Sequence, residues 1–476
     1  MSDTKYQSFI GLEIHIQLLT KTKVFCDCRN QFGDEPNTNV CPVCLGYPGV
    51  LPAVNEQALK YSYMVARALN CRLSEAAYFD RKNYFYPDMT KNYQISQFHS
   101  PVGRDGWLEY ETGGQVKKVR IHDIHLEEDA GKSIHQGGRT LLDYNRAGTS
   151  LLEIVTEPDL ETGEDAEAFI QNFRRLVRYL GVCDGNMEEG SLRCDGNISI
   201  NLAGKGLGTK TEVKNVNSSR FLKLSMNHEI VRQKRLLEKG EQIVQETRLW
   251  NEAKAKTESM RTKESAHDYR YFPEPDMTPF RPGEAFVADI DRLIVELPLY
   301  RKMRFEKDYG VTGDQVLFLT EEKGTADFFE AAVSGGAEPS QAAAWICTDV
   351  QKNLNKLQIS LNESPLTPER LAALIIMVKE GRINRKKAEQ ALSLILEEDK
   401  DPEAIIEEQG WEQISDTGAI EGFVDQALAA NEKAVGQIKE GDLKPMGFLT
   451  GQVMKLSKGQ ADPKLVQEII RRKLNL

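Results

Sequence analysis

The chain has 476 residues, 40% of them hydrophobic and 28% charged, with a formal net charge of −11. That length predicts two to four domains, and the composition is that of a soluble globular protein. The charge argues against a generally basic nucleic-acid coat, though not against local basic patches. No apolar run reaches the roughly 18 residues that a membrane span needs. The first residues read neither as a signal peptide nor as a transit peptide, so the expected location is the cytoplasm. The eight cysteines are then expected to be thiols or metal ligands rather than disulfides.

Phe9 to Leu18 alternates strictly. Ile10, Leu12, Ile14, Ile16 and Leu18 fall on one face of a strand; Gly11, Glu13, His15 and Gln17 fall on the other. A solvated strand face would account for Glu13 and His15 taken alone, but similar polar faces recur downstream, rich in carboxylates. Next come Cys26-Asp27-Cys28 and Cys41-Pro42-Val43-Cys44-Leu45-Gly46. Four thiolates at this spacing fit a structural Zn²⁺, with four reduced thiols as the alternative. The spacing predicts a helix over Asn55–Asn70, capped by Asn55, with Leu59, Ser62, Val65, Ala66 and Leu69 inward. From Phe79 to Asp88, charge and aromatics interleave around Arg81 and Lys82. This is either an ordinary surface loop or the rim of an anion site.

His122 to Lys132 contains His125, Glu127 and Asp129 on one strand face, with Glu128 on the other or in a turn. Three successive acids repel one another, a cost that a hard cation or basic partners would offset. The Ala130-Gly131-Lys132-Ser133 end mimics a P-loop, but position 126 is Leu instead of the first glycine, which excludes that motif. A helix is expected over Glu164–Leu180, stopped by Gly181. Met187 to Ile200 is a second alternator. It turns Leu192, Cys194, Ile198 and Ile200 inward and Ser191, Arg193, Asp195, Asn197 and Ser199 outward. Lys210, Glu212 and Lys214 follow at strand spacing, then a helix burying Leu222, Met226, Ile230 and Leu237. Two prolines stiffen Asp268 to Asp276. Beyond about residue 299 the pattern is helical and carries no catalytic motif. Residues 441–476 hold seven basic and three acidic side chains: a phosphate-binding surface or a solvated helix face.

Residues alone thus give an α+β domain whose sheet shows carboxylates, histidine and basic groups on one face, followed by helices. That suits metal-assisted phosphoryl chemistry better than acyl transfer, since no G-x-S-x-G occurs and no cysteine has a reactive context.

Gly11–His15, Asp80–Asp88, His125–Lys132, Met187–Asn197, Asp268–Asp276 and, near the end, Met446–Gln452 together resemble the B-type subunits of the aspartyl/glutamyl-tRNA amidotransferases. The resemblance implies a cradle of the glutamine synthetase fold over 1–294, an all-α helical domain over 295–406, and a YqeY-like α-helical tail over 407–476. It implies a ligase that uses ATP and Mg²⁺ to phosphorylate the side chain of Glu or Asp misacylated onto tRNA-Gln or tRNA-Asn. Ammonia then displaces the phosphate. Glu13, His15, Glu127 and Glu128 match the family's metal-binding positions. Arg81, Lys82, Arg193, Asp195, Lys210, Glu212 and Lys214 match positions lining the cradle, with Lys82, Arg193 and Lys210 expected to contact the cofactor. The implied partners are the misacylated tRNA, an A-type amidase subunit that supplies ammonia, and a small C-type subunit. The rival reading is a non-catalytic tRNA-binding or assembly subunit with a structural zinc.

Overall fold

A computed structural model describes residues 5–262, 269–412, 417–439, 442–457 and 459–475; Asp268 of the proline-stiffened stretch and Lys458, one of the seven basic residues of 441–476, lie outside them. The chain divides into two compact units, Met1–Arg301 and Lys302–Leu476.

The first unit contains β1 (Tyr6–Gln17), α1 (Glu56–Ala68), β2 (Arg72–Leu73), β3 (Asp80–Asn83), β4 (Tyr93–Ser96), β5 (Gly103–Thr112), β6 (Gln115–Glu128), β7 (Lys132–Gln136), β8 (Arg139–Asp143) and β9 (Ser150–Thr156). It continues with α2 (Gly163–Tyr179), β10 (Leu192–Leu202), β11 (Thr211–Lys214), α3 (Ser219–Glu238), β12 (Glu246–Asn251), β13 (Lys256–Thr262), β14 (Phe272–Pro273) and α4 (Glu284–Leu293). Nine strands form one sheet in the order β13-β12-β11-β10-β1-β9-β6-β5-β2. Every pairing in it is antiparallel except that of β11 with β12. The strand that opens the sequence therefore lies in the middle of the sheet. Strands β14, β3 and β4 make a small second sheet, and β7 and β8 a hairpin.

The alternation in β1 has the expected effect. Ile10, Leu12, Ile14 and Ile16 are buried in a core shared with α1 and α2. Asn55 caps α1 by accepting from the Gln57 and Ala58 backbone N–H groups, and the predicted inward stripe from Leu59 to Leu69 is buried. On α2, Phe169, Phe173 and Leu176 are buried against the same sheet face. Each such side chain contributes roughly 1.5–3 kcal/mol by leaving water. With one sheet face closed by helices, the polar positions of the same strands are left to line the other.

Helix α3 departs from expectation in its second half. Leu222 and Met226 are buried as predicted, but Ile230 and Leu237 are only partly so, and Glu229 and Gln233 are fully buried instead. The reason is electrostatic. Glu229 accepts from Arg232 at 2.8–3.0 Å and also from Thr257, with Arg248 3.2 Å away, so this turn of helix is fixed to β12 and β13 by charge.

The second unit is helical, ending with Pro463–Leu474. Its apolar residues form two clusters, one from Phe305 to Ile406 and one from Ile420 to Ile470. No helix among the described residues is long and apolar enough to cross a membrane.

Candidate active site

The open face of the large sheet forms the floor of a cavity of about 520 Å³. Strand register sets its chemistry. Arg193 of β10, His15 of β1, Glu153 of β9 and His125 of β6 lie side by side in one row across four adjacent strands. The Glu153 Oε2 atom is 3.0 Å from His125 Nε2 and 3.4 Å from His15 Nε2. Glu13 lies 3.9 Å from His15, and Glu127 3.9 Å and Asp123 3.2 Å from His125, so His15 faces two carboxylates and His125 three. Ser96 Oγ donates to Glu127 at 3.1 Å.

These contacts separate the charge states. Burial opposes ionisation of Glu153, but the two adjacent imidazoles outweigh it and hold its carboxyl well below the usual range. Burial likewise opposes protonation of His125, yet Glu153 and Asp123 raise it well above an ordinary histidine. Glu13 is raised, first by burial and then by Glu153. A cluster of buried carboxylates with imidazoles between them has the donor set of a divalent-cation site. Glu13, His15 and Glu153, and equally His125, Glu127 and Glu153, bring ligand atoms within 4.8 Å of one another.

Basic and aromatic groups ring this cluster. Lys82 reaches the cavity from β3, with Nζ 5.3 Å from the centre of the Tyr269 ring. Arg193 donates to Asp129 at 2.7 Å, and its Nε has no partner among the described residues. Lys214 donates to Asp195 at 2.7 Å and lies 3.4 Å from Glu212. Phe98 stacks on Tyr271 with ring centres 4.3 Å apart at the cavity wall.

Of the residues proposed from sequence, Glu13, His15, Lys82, Glu127, Arg193, Asp195, Glu212 and Lys214 line this cavity. Three do not. Glu128 follows Glu127 on a strand and so points to the opposite face, where it pairs with Lys91 and accepts from the Ile95 N–H at 2.8 Å. Arg81 precedes Lys82 and for the same reason faces away, gripping Glu274 through two hydrogen bonds of 2.7 and 2.9 Å. Lys210 is exposed ahead of β11 and is not among the lining residues. Sequence reasoning missed Glu153. Its signal was a single carboxylate inside the otherwise apolar Leu151-Leu152-Glu153-Ile154-Val155.

The four cysteines converge. Cys26, Cys28, Cys41 and Cys44 place their sulfurs within 4.8 Å of one another. Cys44 Sγ is 4.0 Å from Cys28 Sγ and 3.9 Å from Cys41 Sγ. A tetrahedron with 2.3 Å zinc–sulfur bonds has edges of about 3.8 Å. The Cys41 N–H donates to the Cys44 sulfur at 3.2 Å. Gly46 closes this turn at φ +70, a conformation that favours glycine. Hydrogen bonding from Cys26 is the largest influence lowering Cys44, to about 4. Burial is the largest influence raising Cys28, to about 12.

A catalytic domain with this cavity belongs to a described class: residues 8–288 match the family model of the GatB/GatE catalytic domain, and residues 327–474 match that of the GatB domain. The chain belongs to the GatB family, the B-type subunits of the aspartyl/glutamyl-tRNA(Asn/Gln) amidotransferases. It is 47% identical to the member from Thermodesulfovibrio yellowstonii over 468 residues, covering 98% of each chain. It is 45% identical to that of Carboxydothermus hydrogenoformans over 476 residues and 44% identical to that of Brevibacillus brevis over 475, covering 99% of both chains in each case.

Proposed function

We propose that this chain is the ATP-using subunit of a tRNA-dependent amidotransferase, a carbon–nitrogen ligase. It activates the side-chain carboxylate of Glu or Asp misacylated onto tRNA-Gln or tRNA-Asn, for amidation by ammonia from a partner amidase. The observation that carries this reading is the row Arg193–His15–Glu153–His125, flanked by Glu13 and Glu127 on the cavity floor. A surface used only for docking has no reason to bury mutually repelling carboxylates. The family relationship supports the same assignment.

Within this reading Glu13, Glu127 and Glu153, with His15 and His125, hold Mg²⁺; Glu128 serves the wall behind them. When bound, the ion offsets charge on the nucleotide phosphates and on the transferring phosphoryl group. The remaining work falls to the chain's own side chains. Lys82, Arg193 and Lys214 present positive charge to the phosphates and to the substrate carboxylate. Asp129 orients Arg193, while Asp195 and Glu212 orient Lys214. Tyr84, Tyr269, Tyr271 and Phe98 offer flat apolar faces to a base or ribose. The cradle is of the glutamine synthetase kind, and the four cysteines hold a structural Zn²⁺ that closes the loop after β1. The partners are the A-type amidase subunit, the small C-type subunit and misacylated tRNA in the cytoplasm.

The test is ATP-dependent phosphorylation of Glu-tRNA-Gln by the assembled complex. Glu127→Ala should abolish it while glutamine hydrolysis and tRNA binding persist. Near-normal phosphorylation in that variant would remove this assignment.

A further inference from the structure

Among the described residues, Lys23 is the one lysine completely shielded from solvent. Its Nζ donates to the backbone carbonyls of Asn39 at 2.7 Å and Tyr144 at 3.3 Å, and to Cys44 Sγ at 3.7 Å. It forms no ion pair with a carboxylate of the described residues. A buried ammonium solvated only by carbonyls is strongly unfavourable, and a counter-charge is the usual remedy. Of the groups that its Nζ contacts among the described residues, Cys44 of the sulfur cluster is the one able to carry negative charge. A divalent ion with four thiolates has a double negative charge, buried on the side that Lys23 faces. We propose that Lys23 is the built-in counter-ion of the metal-loaded four-cysteine site and governs how firmly that site keeps its metal. This rests on the reading of the cluster as a zinc site.

The rest of Lys23 supports the assignment. Its backbone N–H donates to the Cys28 carbonyl at 3.0 Å, so one residue ties both cysteine pairs together: the first through the main chain, the second through the ammonium. The Asn55 side chain, which caps α1, donates to the Lys23 main-chain carbonyl at 3.3 Å and holds the backbone at this residue. Over the stem lies Gly148, at φ +84; a Cβ there would stand 3.4 Å from Cys44 Cβ and 3.5 Å from Lys23 Cδ. The Gly148 N–H in turn donates to the Asp129 carbonyl at 2.9 Å. The segment that roofs Lys23 thus leads both to Asp129, beside the catalytic cavity, and into β9.

The experiment uses the full-length chain loaded with Zn²⁺, and separately with Co²⁺. Zinc transfer to excess chromogenic chelator is timed for wild type, Lys23→Met, Lys23→Gln and Lys23→Arg. Loss of the charge in Lys23→Met and Lys23→Gln should weaken zinc affinity about 10–100-fold, the usual range for removing a partner of a metal ligand, and speed transfer to the chelator accordingly. Lys23→Arg should remain close to wild type. In the Co²⁺ forms, thiolate-to-metal charge-transfer bands should move to lower energy in Lys23→Met and Lys23→Gln, since the sulfurs lose a stabilising cation. If Lys23→Met does not fold, Lys23→Gln, which keeps an N–H donor, decides the matter alone. Wild-type zinc retention with unshifted bands in Lys23→Gln would overturn the counter-ion role. A wild-type chain that takes up no zinc or cobalt would instead overturn the zinc reading, and this proposal with it.

Discussion

Glu153→Gln isolates the charge at the centre of the cavity floor while keeping the shape of the side chain. The carboxylate it removes faces two imidazoles at 3.0 and 3.4 Å. At an effective dielectric of about 20, each such contact has a gross Coulomb energy of roughly 5 kcal/mol while the imidazole is protonated; once the imidazoles act as neutral metal ligands, the carboxylate faces the cation instead. Desolvation cancels much of this, and breaking a buried pair costs about 3–5 kcal/mol net. The amide can still hydrogen-bond one imidazole, which places the loss near the lower figure. If the same loss falls on the phosphoryl-transfer transition state, about 3 kcal/mol corresponds to a rate reduction of roughly 150-fold. The assay is single-turnover phosphorylation of Glu-tRNA by the assembled complex, with glutaminase activity and tRNA affinity measured on the same preparation. Glu128→Gln is the control. It breaks the buried pair with Lys91 and should lower the melting temperature, yet the protein that remains folded should phosphorylate at near the wild-type rate. The reverse pattern, with Glu128→Gln inactive and Glu153→Gln unimpaired, would refute the assignment of faces on β6 and of Glu153 to the cation site.

Other outcomes are equally specific. Elemental analysis should find one zinc per chain, bound at about 2.3 Å per sulfur by X-ray absorption, and Cys44→Ser should lose it. Glu229 is held below the ordinary glutamate value of 4.5: burial opposes this, but Arg232, Thr257 and Arg248 outweigh it. Its stabilisation is therefore complete above about pH 4.5 and disappears as pH falls through the lower, folded value. Glu229→Gln should cost about 3 kcal/mol in denaturant unfolding at pH 7, with the gap to wild type narrowing below about pH 4; a pH-independent gap would contradict this. Deleting residues from 407 onward should weaken tRNA binding and flatten its salt dependence without unfolding the sheet. In the tail, Arg472 and Lys473 already pair with Glu421 and Asp425, which leaves Lys444, Lys455, Lys464 and Arg471 as the better candidates for phosphate contacts.

The parts legible in the sequence were those governed by a local period. Alternation placed Glu13 with His15, Arg193 with Asp195, and His125 with Glu127; it left Glu128 on the other face or in a turn, and the family resemblance still assigned Glu128 to the metal site, where the structure does not put it. Cysteine spacing brought four sulfurs together, and Asn55 marked the start of α1. What escaped depends on neighbours remote in the chain. Glu153 lies in an apolar run whose period is silent because its strand is central, and only pairing with β1 and β6 shows that its polar side chain meets two histidines. Arg81 and Lys82 were grouped because β3 is too short to reveal which of them faces the cavity. In α3, a stripe continued to Leu237 by helical periodicity gave way to Glu229 and Gln233, because arginines of α3 and β12 made charge burial tolerable there.

The central place of β1 also bears on how the chain reaches this state during synthesis. Residues 6–17 leave the ribosome well before their two partner strands, which begin at Ser150 and Leu192. At about 5–20 residues per second, the first strand waits roughly 10–40 s before the last of its partner residues is made. Throughout that interval Ile10, Leu12, Ile14 and Ile16 form a nascent apolar strand with both edges open, the kind of segment that pairs with the wrong chain. The polar alternates Glu13, His15 and Gln17 interrupt this apolar strand and act as gatekeepers during this period. Replacing several of them with apolar residues would shift the chain toward aggregation during translation, before any loss of activity could be measured.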